Sequence, residues 1–245
     1  MQFHHSDSME NEAGTVNGLL VTDPVRTVAD YLRVRSLPTG LALLDDALRR
    51  KIVSLPDLRL TLEKQKRWPG RPKALAALQL ADPMRESWGE SYSFGRLHLL
   101  GVPMPLHQVD ILDLDGRWVA RVDGLWPHVG VVGEADGFSK YFLSSNGDSR
   151  APEQVVRENL EAEVVRQRGI EALGLEVVRW SPSEVRDEGW AVAGRVNAAF
   201  AAARPQEVGA YAVWRGEQRR LPFEVRTPSI DAERLRYRRA RRRTG

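Results

Sequence analysis

Residues 116–141 read GRWVARVDGLWPHVGVVGEADGFSKY, and the fold is decided there. Trp118, Ala120 and Val122 alternate with Val119, Arg121 and Asp123, the two-residue period of a strand. A Trp-Pro turn follows at Trp126-Pro127. Val129 to Val132 is then an apolar run too short for a helix and bounded by glycines, which predicts a second, buried strand. Both segments end in charge. Asp123 closes the first, and Glu134, Asp136 and Lys140 follow the second. Carboxylates at the ends of buried strands cost free energy unless they are paired, hydrogen-bonded or bound to metal.

Working outward, His107 to Leu114 reads as another strand, with Asp115-Gly116 as a hairpin turn into the next. Ser87-Trp88-Gly89-Glu90 matches a capping box and opens a helix to about Leu100. Downstream, a polar loop over 143–151 precedes Pro152, which starts a long helix to Leu173 with Gly174 as its cap. Leu175 to Trp180 is a strand. Ser181-Pro182-Ser183 starts a last helix through Phe200, interrupted near Gly189 or Gly194. The expected class is α/β: a helix, three antiparallel strands, a crossover helix of the usual right hand and a fourth strand, with carboxylates gathered at one end of the sheet.

Farther out, 20–82 reads as a small helical region. Thr22-Asp23-Pro24 starts its first helix. Leu41, Leu44 and Leu48 repeat inward over 39–51, Ser54 caps a third helix, and Pro69-Gly70 separates it from a fourth over 71–81. The domain plan is therefore a disordered leader (1–18), the helical region (20–82), the α/β domain (84–203) and an irregular segment with a basic tail (204–245). Within that last segment Tyr211 to Trp214 has the look of a strand.

Composition narrows the chemistry. The chain has no cysteine, which removes disulfides, thiolate zinc sites and cysteine nucleophiles and fits a cytoplasmic protein. No apolar run is long enough to span a bilayer, and no signal-peptide pattern opens the chain, so no membrane partner is expected. The net charge of +3 is uneven, because residues 215–245 hold 11 Arg against 4 acids and leave the rest of the chain net acidic. Arg234, Arg236, Arg238, Arg239, Arg241, Arg242 and Arg243 make the tail a candidate for sequence-independent nucleic-acid binding; the plainer reading is a solvated end. Lysine is scarce, 5 against 31 Arg, so Lys140 beside the carboxylates stands out for its compact ammonium.

Two carboxylates on neighbouring strands can hold one Mg²⁺, which takes oxygen ligands and activates water for attack on phosphate. Asp123 and Glu134 are the candidate ligands. Glu90 could orient water from the flanking helix, and Lys140 could stabilise charge on the phosphate. Three of the four have a plainer role, Glu90 as capping-box partner of Ser87, Asp123 as cap of the Trp-Pro turn and Lys140 as a surface cation, whereas Glu134 follows a buried run and has none so simple.

Taken in order, Glu90, then Arg121-Val122-Asp123, then Val132-Gly133-Glu134-Ala135-Asp136-Gly137 with Lys140-Tyr141, then Glu176-Val177-Val178-Arg179-Trp180, the chain resembles the very-short-patch-repair-endonuclease-like branch of the PD-(D/E)xK nuclease superfamily. It is similar in particular to actinobacterial proteins described as type IV abortive-infection antitoxin-like or uncharacterised. The resemblance covers about Leu20 to Val185. It implies a PD-(D/E)xK-like core that binds DNA, with Asp123 and Glu134 on a Mg²⁺, Glu90 as helix acid, Lys140 as the ammonium, and phosphodiester hydrolysis. The chain departs from the pattern at Asp136, where the superfamily has Lys, at Ala135, where relatives have Phe, and at Val164 and Arg168, where relatives carry a Lys and an acid. An N-terminal winged helix is also expected upstream and is not seen. These departures motivate the second expectation, a catalytically inactive, antitoxin-like regulator that binds DNA, a cognate toxin or another protein partner. A purely structural scaffold is the third.

Overall fold

The computed structural model describes residues 13–135 and 152–230, with 152–160 as backbone. The chain divides into two compact units at Pro83/Met84.

The first unit begins with a hairpin, β1 (Ala13–Val16) and β2 (Leu19–Thr22), where a disordered leader was expected as far as residue 18. Asn17 and Gly18 both take positive φ, 51° and 79°, as a tight two-residue turn requires. Four helices follow: α1 (Pro24–Val34), α2 (Leu37–Arg49), α3 (Leu55–Lys64) and α4 (Arg71–Leu80). The first and third start at the residues the sequence marks, and the second starts two residues before the expected position 39. Asp23, Ser36 and Ser54 each accept a backbone N–H of the first turn, with proline just inside. Leu41, Leu44, Leu58, Leu62 and Ala74 are buried in their core; Leu48 is half-buried. Gly70, at φ 83°, turns the chain into α4, and a Cβ there would lie 2.1 Å from the Arg33 carbonyl oxygen. Trp68 lies between the guanidinium groups of Arg26 and Arg33, each 4.7 Å from its ring centre.

The second unit is a mixed α/β structure around a six-stranded sheet. In chain order its elements are α5 (Trp88–Leu99), β3 (Leu106–Leu112), β4 (Trp118–Trp126), β5 (Val131–Ala135), α6 (Pro152–Glu171), β6 (Glu176–Trp180), α7 (Pro182–Ala202), β7 (Tyr211–Trp214) and β8 (Glu217–Arg220). The strands lie in the order β6-β5-β4-β3-β7-β8. Strands β3, β4 and β5 are antiparallel, and β6 joins β5 in parallel after the α6 crossover. That is the expected element order.

Three expectations are corrected. The strand read over Tyr211 to Trp214 forms as β7, and the sheet also gains β8 from a segment read as irregular; β7 pairs with β3, and Val208, Ala210 and Ala212 enter the core. Strand β4 runs through Trp126, so Asp123 lies inside it and does not close it. Strand β5 runs from Val131 to Ala135, so Glu134 lies within it and is 3 % exposed. Both acids sit inside the sheet because hydrogen bonds and a guanidinium satisfy them there.

Glycine lets one face of the sheet take large rings. Gly124 and Gly133 are paired across β4 and β5. A Cβ on Gly124 would come 2.7 Å from Phe94 of α5, and one on Gly133 would come 2.7 Å from Trp180 and 2.9 Å from Trp126. Phe94 meets Trp180 and Trp126 edge to face. Helix α6 approaches a different part of the sheet, where Gly169 packs against Val119. The expected interruption of α7 is a kink at Glu188, next to Gly189. Among the described residues no helix is long and apolar enough to cross a membrane.

Candidate functional site

Strand register sets five polar residues in one row across the sheet, level with the C-terminal ends of β5 and β6. Glu134 pairs with Arg179 of β6. One step past the Gly124–Gly133 pair, Glu134 stands across from Asp123. Asp123 falls between the Val122–Val109 and Gly124–His107 pairs and so lies opposite Gln108. Two steps past the Asp110–Val213 pair, the same register leads from Gln108 to Arg215 at the β7–β8 turn.

The carboxylates in this row are held by N–H donors. Asp123 Oδ2 accepts the Ala135 N–H at 3.0 Å, and Oδ1 faces the Gln108 amide at 3.3 Å. The same amide donates to Glu90 Oε2 at 2.8 Å, so a single nitrogen bridges the helix acid and the strand acid. Gln108 Oε1 in turn accepts from Arg121 Nε at 2.9 Å. Gln108 is buried and holds φ 54°, the left-handed region, in the middle of a strand. That is costly backbone for a residue with a Cβ, and the surrounding hydrogen bonds hold it there.

Glu134 meets a cation from α6. Arg166 donates from Nη1 to Oε1 at 3.2 Å and from Nη2 to Oε2 at 2.9 Å. Nη1 also caps the Arg121 carbonyl at 3.2 Å. Nη2 donates to Glu163 at 2.7 Å, and Glu163 is shared with Arg179. Burial works to raise the Glu163 carboxyl pKa, but hydrogen bonds and charge from Arg166 and Arg179 outweigh it and hold the group below its ordinary range. Burial likewise opposes the charge on Arg166, while Glu134 and Glu163 fix its proton more firmly than usual.

Beneath Asp123 lies a second buried pair. Arg85 Nη1 donates to His107 Nε2 at 2.9 Å, which leaves the His107 Nδ1–H to donate to the Asp123 carbonyl at 3.2 Å. Burial, reinforced by the Arg85 and Arg215 charges, pushes the imidazole pKa well below its ordinary 6.5, so His107 is neutral.

Three of the four residues expected to form the site are thus in one network. Glu90 and Asp123 share the Gln108 amide, and Asp123 and Glu134 stand on adjacent strands. Glu90 also keeps its capping role, since its N–H meets Ser87 Oγ at 3.1 Å while its carboxylate accepts the Glu86 N–H at 2.9 Å. Lys140 and the tail arginines Arg234, Arg236, Arg238, Arg239, Arg241, Arg242 and Arg243 lie outside the described residues. Sequence reasoning missed Gln108, Glu163, Arg166, Arg179, Arg85 and His107. On α6 it singled out positions 164 and 168, whereas Val164 is 49 % exposed and the side chains that reach the sheet are Glu163 and Arg166. Their i,i+3 spacing, in phase with buried Ile170, was the available signal.

For Mg²⁺ the arrangement is a poor fit. Oxygens of both Asp123 and Glu134 face N–H donors: Asp123 Oδ2 accepts from Ala135, and both Glu134 oxygens accept from Arg166. The donor set is the complement of carboxylates, with a guanidinium where a cation would neutralise Glu134.

No protein-family model, no curated protein and no solved structure matches this chain.

Proposed function

We propose that the second unit is a restriction-endonuclease-like domain that binds DNA without cutting it, in the manner of an antitoxin-like regulator. The observation that carries this reading is the two-pronged Arg166–Glu134 contact, with Arg166 tied further to Glu163 and the Arg121 carbonyl. A fixed guanidinium supplies the neutralising charge of a divalent ion but has no exchangeable position for water. The DNA half of the reading draws on the excess of arginine after residue 214. The test is an assay of the full chain against single-stranded, duplex and branched DNA. Metal-free, salt-sensitive binding with no cleavage in Mg²⁺ or Mn²⁺ is expected. Metal-dependent cleavage that Asp123→Asn abolishes would overturn it.

A second reading, Mg²⁺-dependent phosphodiester hydrolysis, is favoured by one relationship: Asp123 and Glu134 stand across from one another on adjacent strands. It requires Arg166 to release Glu134. Arg166→Ala would then raise metal affinity and any cleavage rate, whereas the regulator reading expects only lost stability.

A further inference from the structure

The edge of the sheet farthest from β6 is a slender basic hairpin. Strands β7 and β8 pair from Tyr211–Arg220 to Trp214–Glu217 and turn through Arg215 and Gly216. Both turn residues have positive φ, 52° and 83°, the geometry of a two-residue primed turn. Every residue from Arg215 to Arg220 is exposed, and three of those six are arginine against a single acid, Glu217. Two guanidinium groups lie over rings, Arg215 over Trp214 at 4.5 Å and Arg219 over Phe223 at 4.2 Å. A ring beneath the Arg219 guanidinium restricts where its charge can sit. Among the described residues neither Arg219 nor Arg220 has a carboxylate partner. The turn stands at the end of the polar row, next to Gln108 by register.

We propose that this hairpin is the duplex-DNA backbone contact of the second unit, with Arg219 and Arg220 on phosphates. The inference rests on the DNA-binding reading above and gives it a surface. A two-stranded ribbon is narrow enough to follow a groove of the duplex, and guanidinium edges match phosphate oxygens in pairs. The competing role for the same charges is protection of an open sheet edge from strand addition. That role needs charge of either sign and has no dependence on DNA.

The experiment measures anisotropy of a labelled short duplex with the full chain in EDTA, over about 50 to 200 mM salt. Three chains are compared: the natural one, Arg219→Gln with Arg220→Gln, and the same two positions as Lys. Both residues are exposed, so circular dichroism should stay unchanged. With two phosphate contacts removed, affinity should fall about tenfold or more, and the slope of log K against log salt should flatten by about 2. The Lys pair should keep most of that slope. If the natural chain binds and the Gln pair binds equally well with the same slope, the hairpin assignment is wrong. The same holds if Gln at the seven tail arginines alone removes all binding. If the natural chain binds no DNA, the DNA-binding reading itself fails and the hairpin assignment falls with it.

Discussion

Arg166 holds Glu134 with both terminal nitrogens, Nη1 on Oε1 at 3.2 Å and Nη2 on Oε2 at 2.9 Å. The carboxylate side chain is 4 % exposed and the guanidinium side chain 23 %. The pair therefore lies between a surface salt bridge and a fully buried one, and the two partners are unequal. Removing Arg166 also strips Glu163 and the Arg121 carbonyl of a donor, whereas removing Glu134 leaves Arg166 with Glu163 and some water.

Removing the cation should accordingly be the worse change. Arg166→Met removes the two-pronged contact to Glu134 together with the contacts to Glu163 and the Arg121 carbonyl, at a cost of about 3 kcal/mol in urea unfolding, the low end for breaking a buried pair. Glu134→Gln should cost less, because Arg166 retains Glu163. Arg166→Met combined with Glu134→Leu should recover most of the loss, since two apolar groups need no partner. A double variant no more stable than Arg166→Met alone would show that the pair is not what the single variant broke.

Gln108 offers a second test, in which two effects oppose. Gln108→Gly relieves the positive φ, but it removes the amide between Glu90 and Asp123. Backbone relief is worth about 1 kcal/mol. Taking one donor from the buried Glu90 and the half-buried Asp123 costs about 1–3 kcal/mol. The net change should be destabilising, read as a lower urea midpoint at neutral pH. Gln108→Asn, which keeps an amide but shortens its reach, should fall between. A Gln108→Gly chain more stable than the natural one would mean that the bridge contributes little.

How much of this was visible in the sequence follows from the range of each signal. Caps and turns are local, so Asp23, Ser54, Ser87 and Ser181 mark their helices correctly. The alternation from Trp118 to Asp123 located β4, but charge at Asp123 and Glu134 was taken as a strand boundary. It is not one, because the groups that neutralise it are distant in sequence: Arg166 is 32 residues from Glu134. The same limit hid His107, whose partner Arg85 lies 22 residues away. Strand β8 was missed for another reason. Glu217 to Arg220 are all exposed and carry no apolar alternation; the pairing comes from the Arg215-Gly216 turn and the open edge of β7.

Gly133 shows how closely the ring-packed face is filled. Gly133→Ala puts a methyl within 3 Å of both Trp180 and Trp126, which are buried and held by Phe94. Overpacking of this kind costs about 1–3 kcal/mol. The expected readouts are a lower melting temperature and changed near-ultraviolet circular dichroism, with little change in the far ultraviolet. Gly194→Ala, where nothing lies within 4 Å of the added methyl, is the control and should be neutral or slightly stabilising.

His107 predicts how the second unit responds to acid. Its folded pKa is depressed by burial and by Arg85, whereas the unfolded chain takes up a proton near the ordinary 6.5. Below that value the unfolded state binds more protons than the folded one, so stability falls as pH falls. Its contribution is complete above about pH 7 and declines from about 6.5 downward until the folded pKa is reached. Protonation would also remove the acceptor that Arg85 uses and set two cations face to face. In ¹⁵N spectra of the imidazole, Nε2 should keep the shift of an unprotonated acceptor at pH 5.5. Titration of His107 with a midpoint near 6.5 in the folded protein would remove both the tautomer and the acid sensitivity assigned to it.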